Sequence, residues 1–144
     1  MKPRDQDPFT ILDLDGLRAQ AERLRADFFP DEDLSVLGQT FRLADRVVPN
    51  RFCALPMECR DALPDGSPGP LTRRRYRRLA RGGFGLICVE ATAAAAEARA
   101  HGAQLYLRED NVREFAGLVA AMRADAQDAF GRGVVTVLQL AGRA

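Results

Sequence analysis

Histidine is nearly absent from this sequence: His101 is the single one in 144 residues. A histidine-based metal centre or a Ser-His-Asp triad would have to use it. Its neighbours, Gly102 and an alanine-rich stretch, supply no partner for either, so His101 reads as a solvent-exposed side chain. Cysteine is scarce as well. Cys53, Cys59 and Cys88 make an odd number without a C-x-x-C pair, which argues against a disulfide framework and against a zinc site. Cys53 and Cys88 lie in apolar runs and read as small buried hydrophobes. Cys59, just past a strand end, is the thiol to test for reactivity. Charge of one sign is not in excess: the net charge is +1 with 28% charged residues, so no global field points to nucleic acid or membrane. No apolar run approaches a transmembrane length, and the opening MKPRDQDPF lacks the apolar core of a secretory signal. The expected location is the cytoplasm.

What is present is enough apolar material, 47% of the residues, for a core of one domain or a piece of a larger one. Leu14, Leu17, Ala21, Leu24 and Phe28 recur at helical spacing, with Asp13 or Asp15 to cap the start and Pro30 to end it. Val36, Phe41 and Leu43 suggest a short hairpin around Gly38. Pro49-Asn50 then marks a turn before a strand over 51–55. The segment 64–70, PDGSPGP, is a loop by composition. A helix capped by Thr72 follows to about Arg81, with Leu71, Tyr76, Leu79 and Ala80 as its apolar side. Gly82-Gly83 stops it, and FGLICV over 84–89 reads as a strand buried on both faces. Residues 91–100, rich in alanine, read as a pliable loop. Asp110 caps a helix whose face carries Val112, Phe115, Ala116, Val119, Met122 and Ala126. Gly131 and Gly133 end it before a third strand over 134–140.

Strands alternating with helices imply a parallel sheet, either open and doubly wound or closed as a barrel. An open dinucleotide-binding sheet wants G-x-G-x-x-G after the first strand, but Met57-Glu58-Cys59 stands there, and no Walker A loop occurs anywhere. The glycines of Gly82-Gly83-Phe84-Gly85 precede a strand and read as a tight helix-to-strand turn. In parallel α/β folds chemistry gathers where the strands end. Those ends carry Pro56, Met57, Glu58 and Cys59, then Glu90, Ala91 and Thr92, then Gln139. A small residue such as Ala91 lets a flat ligand approach the backbone. The glutamine amide is both donor and acceptor and can match the alternating edge of a flavin pyrimidine ring.

At these residues the sequence resembles the Old Yellow Enzyme family, the NADH:flavin oxidoreductases. PNRFCALPM resembles the first barrel strand of the family. RRYRRLARGGFGLICVEATA resembles its Y-x-x-R/L-A-x-G-G-x-G-L-I-x-x-E-A-x-A segment, and LQLAGR resembles its third strand. The resemblance covers most of the chain after the first helix. It implies an α/β fold, the N-terminal part of a TIM (β/α)8 barrel with about three βα units, binding FMN at its mouth. Residues 1–35 would be a helical extension and 36–144 a partial barrel domain. Pro56 and Met57 would lie beside the flavin ring, Ala91 would meet it through its backbone, and Gln139 would bond the pyrimidine edge. Glu58 stands where many members have Thr or Cys, and a carboxylate beside the flavin would oppose the anionic reduced form unless protonated or turned away. Ala141 follows Leu140 directly, where members usually have two more residues, so the loop is shortened and the reach of Arg143 altered.

The implied activity takes hydride from NAD(P)H to FMN and on to a small electrophile such as an activated alkene. The family's catalytic side chains fall beyond this sequence, so the resemblance implies no catalytic residue within it. A second expectation is a non-catalytic remnant or interaction module that meets a completing chain or another copy. The arginines between Arg73 and Arg78 read as a solvated outer helix face and not as a nucleic-acid site, because no aromatics interleave with them. Glu90 reads as a structural hydrogen-bonding group more than a base, and Asp61, Asp65 and Glu58 are too scattered for a metal set.

Overall fold

The computed structural model describes residues 13–27 and 33–142. The chain divides between Leu34 and Ser35 into two units. In the first, α1 spans Leu14–Leu24. Asp13 caps it, its carboxylate accepting the Gly16 N–H at 2.7 Å. Arg25, at φ 51°, closes the other end by donating its N–H to the carbonyls of Ala21 and Glu22. Phe28 and Pro30 lie outside the described residues.

The second unit is mixed α/β. A hairpin of β1 (Phe41–Leu43) and β2 (Arg46–Val48) comes first. Its turn is at Ala44-Asp45 and not around Gly38. Val36 and Gly38 instead belong to a single 3-10 turn over Ser35–Gly38. The order is then β3 (Cys53–Ala54), α2 (Pro70–Arg81), β4 (Leu86–Ala93), α3 (Val112–Phe130) and β5 (Val135–Ala141). The last three strands form one parallel sheet in the order β3-β4-β5, with Cys53 opposite Leu86 and Leu86 opposite Val135. β3 is shorter than expected and pairs with β4 at only two positions. β4 and β5 run past their expected ends at Val89 and Leu140.

The start of α2 differs from the expected cap. Gly69 is the N-cap, Pro70 takes the first helical position, where its missing N–H costs nothing, and Thr72 lies one turn inside. The Thr72 hydroxyl instead donates to the Asp61 carboxylate at 2.6 Å. Leu71 is exposed, so the apolar side of α2 is Tyr76, Leu79 and Ala80. In α3 the N-cap residue is Asn111 and not Asp110, and its amide serves the Arg108 N–H and the Tyr106 carbonyl. Phe115, Met122 and Ala126 are buried as expected. Val112 and Ala116 are exposed, while Leu118, which belongs with the core, is 1% exposed.

The core lies between the helices and one face of the sheet. Ala54, Ile87 and Val89 meet Tyr76, Ala80, Phe115, Leu118 and Met122 there. Each of the larger aliphatic side chains and Phe115 contributes about 1.5–3 kcal/mol of burial. Alternation along the strands sends Cys53, Leu55, Cys88, Val137 and Gln139 to the opposite face, which is open. Cys53 is therefore exposed and Cys88 half-buried, contrary to the reading of both as core residues. Burial and the adjacent Cys53 thiol push the Cys88 thiol above its ordinary value.

The arginines of α2 are not a uniformly solvated face. Arg77 and Arg81 both bind Asp125 of α3, at 2.6 and 2.8 Å, and Arg73 reaches Glu114. Arg74 and Arg78 do face solvent. Asp125 is 3% exposed. The bonds from Arg77 hold its carboxyl below the usual range against the opposing effect of burial, and Arg81 adds to them.

Candidate functional site

The loops leaving β3 and β4 meet at the carboxyl end of the sheet. β3 ends at Ala54, and the chain passes through Leu55 and Pro56 to Met57, Glu58 and Cys59. Leu55 and Met57 are 72% and 71% exposed. Glu58 does not stand alone. Its Oε1 meets Nε2 of His101 in the loop after β4. His101 Nδ1 accepts the Ala103 N–H at 3.2 Å, so Nε2 carries the proton and donates to the carboxylate. The solvent-exposed reading of His101 is therefore corrected: it is a half-buried partner of a candidate site residue.

The alanine-rich stretch is not a pliable loop either. Its first three residues belong to β4, and a 3-10 turn follows over Ala96–Ala98. Beyond it, the Ala93 N–H donates to the Leu105 carbonyl at 2.8 Å and the Leu107 N–H to the Ala93 carbonyl at 3.0 Å. Gln104, 3% exposed, ties the segment from inside. Its Oε1 accepts the Ala100 N–H at 2.6 Å, and its Nε2 donates to the Ala91 carbonyl at 3.1 Å. Arg99 donates to the Pro64 and Gln104 carbonyls, and the Tyr106 N–H to the Gly66 carbonyl, so this loop is stitched to the one before α2.

At the end of β4 the ladder shifts register. Val89 opposes Leu138 and Thr92 opposes Leu140, so Glu90 and Ala91 together face Gln139. This is a β-bulge, a device that re-aims side chains next to sites. Glu90 turns toward α2 and is 1% exposed, with bonds to Arg75, Tyr76 and the Cys59 N–H. Ala91 is left beside Gln139, whose exposed amide has no hydrogen-bond partner among the described residues.

The bulge thus brings Ala91 and Gln139 together. Pro56, Met57 and Glu58 follow the neighbouring strand, with the Glu58 carboxylate occupied by His101. Cys59 is exposed, and its thiol donates to the Met57 carbonyl at 3.5 Å. Sequence reasoning missed His101 and Gln104. Each stands alone just past the alanine-rich stretch, and its role arises only when that segment folds back across the strand ends. After the shortened loop motif, Ala141 continues β5 and accepts the Ala94 N–H at 3.1 Å. Arg143 is outside the described residues. Among the described residues no cluster of three or more metal-ligating side chains occurs, and no helix is long and apolar enough to cross a membrane.

A parallel sheet with helices on one face, and with polar and small residues gathered where its strands end, has the form of part of an α/β fold. No protein-family model matches the chain, and comparison with curated proteins gave no match. Solved structures do. Morphinone reductase in complex with tetrahydroNAD superposes with a TM-score of 0.61 at 27% identity, over 73% of this chain and 26% of that one. The old yellow enzyme homologue from Zymomonas mobilis gives 0.61 at 20% identity, over 73% and 27%. Old Yellow Enzyme from Pichia sp. AKU4542 gives 0.64 at 16%, over 74% and 26%. The last two likenesses, at lower identity, are likenesses of fold. The chain is similar to an N-terminal portion of the Old Yellow Enzyme family, and it spans about a quarter of the length of these structures.

Proposed function

We propose that this chain supplies part of the FMN site of an NAD(P)H-dependent oxidoreductase of Old Yellow Enzyme type, built as the first βα units of a TIM barrel. The observation that carries this reading is the opposition of Ala91 and Gln139 at the β4 bulge. The two residues come from different sequence motifs, and together they offer a flat, small-residue approach beside a free amide. The donor set suits the isoalloxazine system. The Gln139 amide has both a donor and an acceptor to offer its pyrimidine edge. Exposed Leu55, Met57 and Val137 give apolar surface beside it.

In this reading Pro56 and Met57 line the ring, Ala91 lets it approach the strand, and Gln139 orients it. FMN, when bound, supplies the chemistry of accepting hydride from NAD(P)H and passing it to a small electrophile such as an activated alkene. The Glu58 carboxylate, turned to His101 and hydrogen-bonded there, is kept from standing as a bare charge beside that site. The test is anaerobic. The FMN-loaded oxidoreductase to which this chain would contribute is mixed with NADH or NADPH, and the oxidised-flavin absorbance is followed, before and after an activated alkene is added. Bleaching followed by recovery supports the reading. A flavin that stays oxidised with both nucleotides overturns it.

A further inference from the structure

Glu90 is a carboxylate almost wholly removed from water, and such a group persists only when its oxygens are well supplied with donors. Its Oε1 accepts from Arg75 Nη2 at 2.7 Å and lies 3.4 Å from the Tyr76 hydroxyl. Its Oε2 accepts the backbone N–H of Cys59 at 2.9 Å. Arg75 sits over the Tyr76 ring, 4.6 Å from its centroid, and its Nη2 also bonds both oxygens of Asp61, at 2.9 and 3.1 Å. The Tyr76 hydroxyl accepts the Glu90 N–H at 2.7 Å. The network therefore fastens the loop after β3 to β4 and to α2 at two places, Cys59 and Asp61.

Between those two fastenings lies Arg60, a non-glycine residue at φ 54°. Such a conformation is strained for a residue with a side chain and holds only where the surroundings enforce it. Upstream, β3 pairs with β4 at Cys53 and Ala54 alone. The ladder thus gives no support from Leu55 onward, and the backbone of Pro56, Met57 and Glu58 runs between the end of the strand and the Cys59 bond, with the Glu58 side chain also held by His101.

Burial works against the charge on Arg75, yet its bonds to Glu90 and Asp61 outweigh this and hold the guanidinium above its ordinary value. Burial pushes the Tyr76 hydroxyl up to about 12, so it stays a neutral phenol at physiological pH. Arg75 and Tyr76 therefore keep their protons near neutrality, and the network they form acts as a rigid anchor.

We propose that Glu90 is a positioning residue: by holding the Cys59 N–H it sets the path of Pro56, Met57 and Glu58 at the mouth of the sheet. This rests on the flavin reading for its purpose but not for its geometry. The test compares the 144-residue chain with its Glu90→Gln variant, by hydrogen exchange and by FMN titration. Glutamine keeps the shape and loses the charged acceptor. Amides of 57–60 should exchange faster in the variant, with α3 unchanged. FMN should bind about tenfold more weakly, the factor for one lost hydrogen bond to a charged group. At saturation, the visible band of bound FMN should move toward that of free FMN. Exchange and FMN affinity both equal to wild type in a folded variant would overturn the proposal. If the variant does not fold, exchange in the wild-type chain decides. A protected Cys59 amide supports the anchor, and one exchanging at the free-loop rate overturns it. A wild-type chain that binds no FMN would sink the flavin reading, while the exchange comparison would still decide whether Glu90 fixes the loop.

Discussion

Glu58 and His101 meet side chain to side chain, one from the loop after β3 and the other from the loop after β4, with 31% and 21% of their side chains exposed. Sequence position separates them by 43 residues. The pair joins the two loops across the carboxyl end of the sheet, and its half-exposed setting limits what it contributes to stability.

Replacing His101 by alanine should change global stability by about 0.5–1.5 kcal/mol, as for the loss of one solvent-accessible hydrogen bond. Its effect should be local, because the Ala103 N–H loses its acceptor. Hydrogen exchange should quicken over 100–104 while the thermal midpoint moves little. A large loss of stability, or unchanged exchange there, would show that the contact does not brace the loop.

Asp125 ties α3 to α2 through Arg77 and Arg81. Asp125→Asn should cost about 1–3 kcal/mol at neutral pH through loss of charged hydrogen bonds. Its carboxyl lies below the ordinary value in the folded chain, so the unfolded chain binds the proton more readily. The stabilisation is thus complete above the ordinary carboxylate range and is lost as pH falls through the folded value. Denaturant unfolding from neutral to acid pH should bring variant and wild type together. A gap that stays constant would refute the role of the charge.

Gly85 packs against Asn50. A Cβ at Gly85 would lie 3.0 Å from the Asn50 N and closer still to its side-chain oxygen. That side chain is not free to move, since its Nδ2 donates to the Gly83 carbonyl at 2.8 Å and its Oδ1 accepts the Phe52 N–H at 3.1 Å. Gly85→Ala should destabilise by about 1–3 kcal/mol, as overpacking does. A variant as stable as wild type in urea would contradict the packing described.

Met122, fully buried, and Leu71, 57% exposed, give a paired test of the helix faces. Met122→Ala should cost about 2–5 kcal/mol. Leu71→Ala should stay within about 0.5 kcal/mol. The reverse order would mean that α2 and α3 are packed otherwise.

Much of the fold was legible because it rests on local signals. Tyr76, Ala80, Phe115, Met122 and Ala126 announced helix faces by spacing, and FGLICV announced a buried strand. The hairpin turn at Ala44-Asp45 was not legible, because its φ of 51° falls on an alanine and not on the nearby Gly38. Thr72 looked like a cap, but Gly69-Pro70 begins the helix earlier and frees its hydroxyl for Asp61. The arginines looked solvated because Asp125 and Glu114 lie more than 40 residues away in sequence. At the candidate site, the motif residues were readable from the strand ends. The groups that hold them, Glu90 through Cys59, Gln104 through Ala91 and His101 through Glu58, depend on loops folding over a bulge that no periodicity reports.

The most direct test of the central claim is a titration of the purified 144-residue chain with FMN, read by visible absorbance and flavin fluorescence before and after desalting, with Gln139→Leu alongside. The account predicts retained flavin with a perturbed spectrum in the wild-type chain and weaker retention in the variant. A folded wild-type chain that leaves the flavin spectrum unchanged and releases all of it on desalting would contradict the claim that these strand ends form a flavin site.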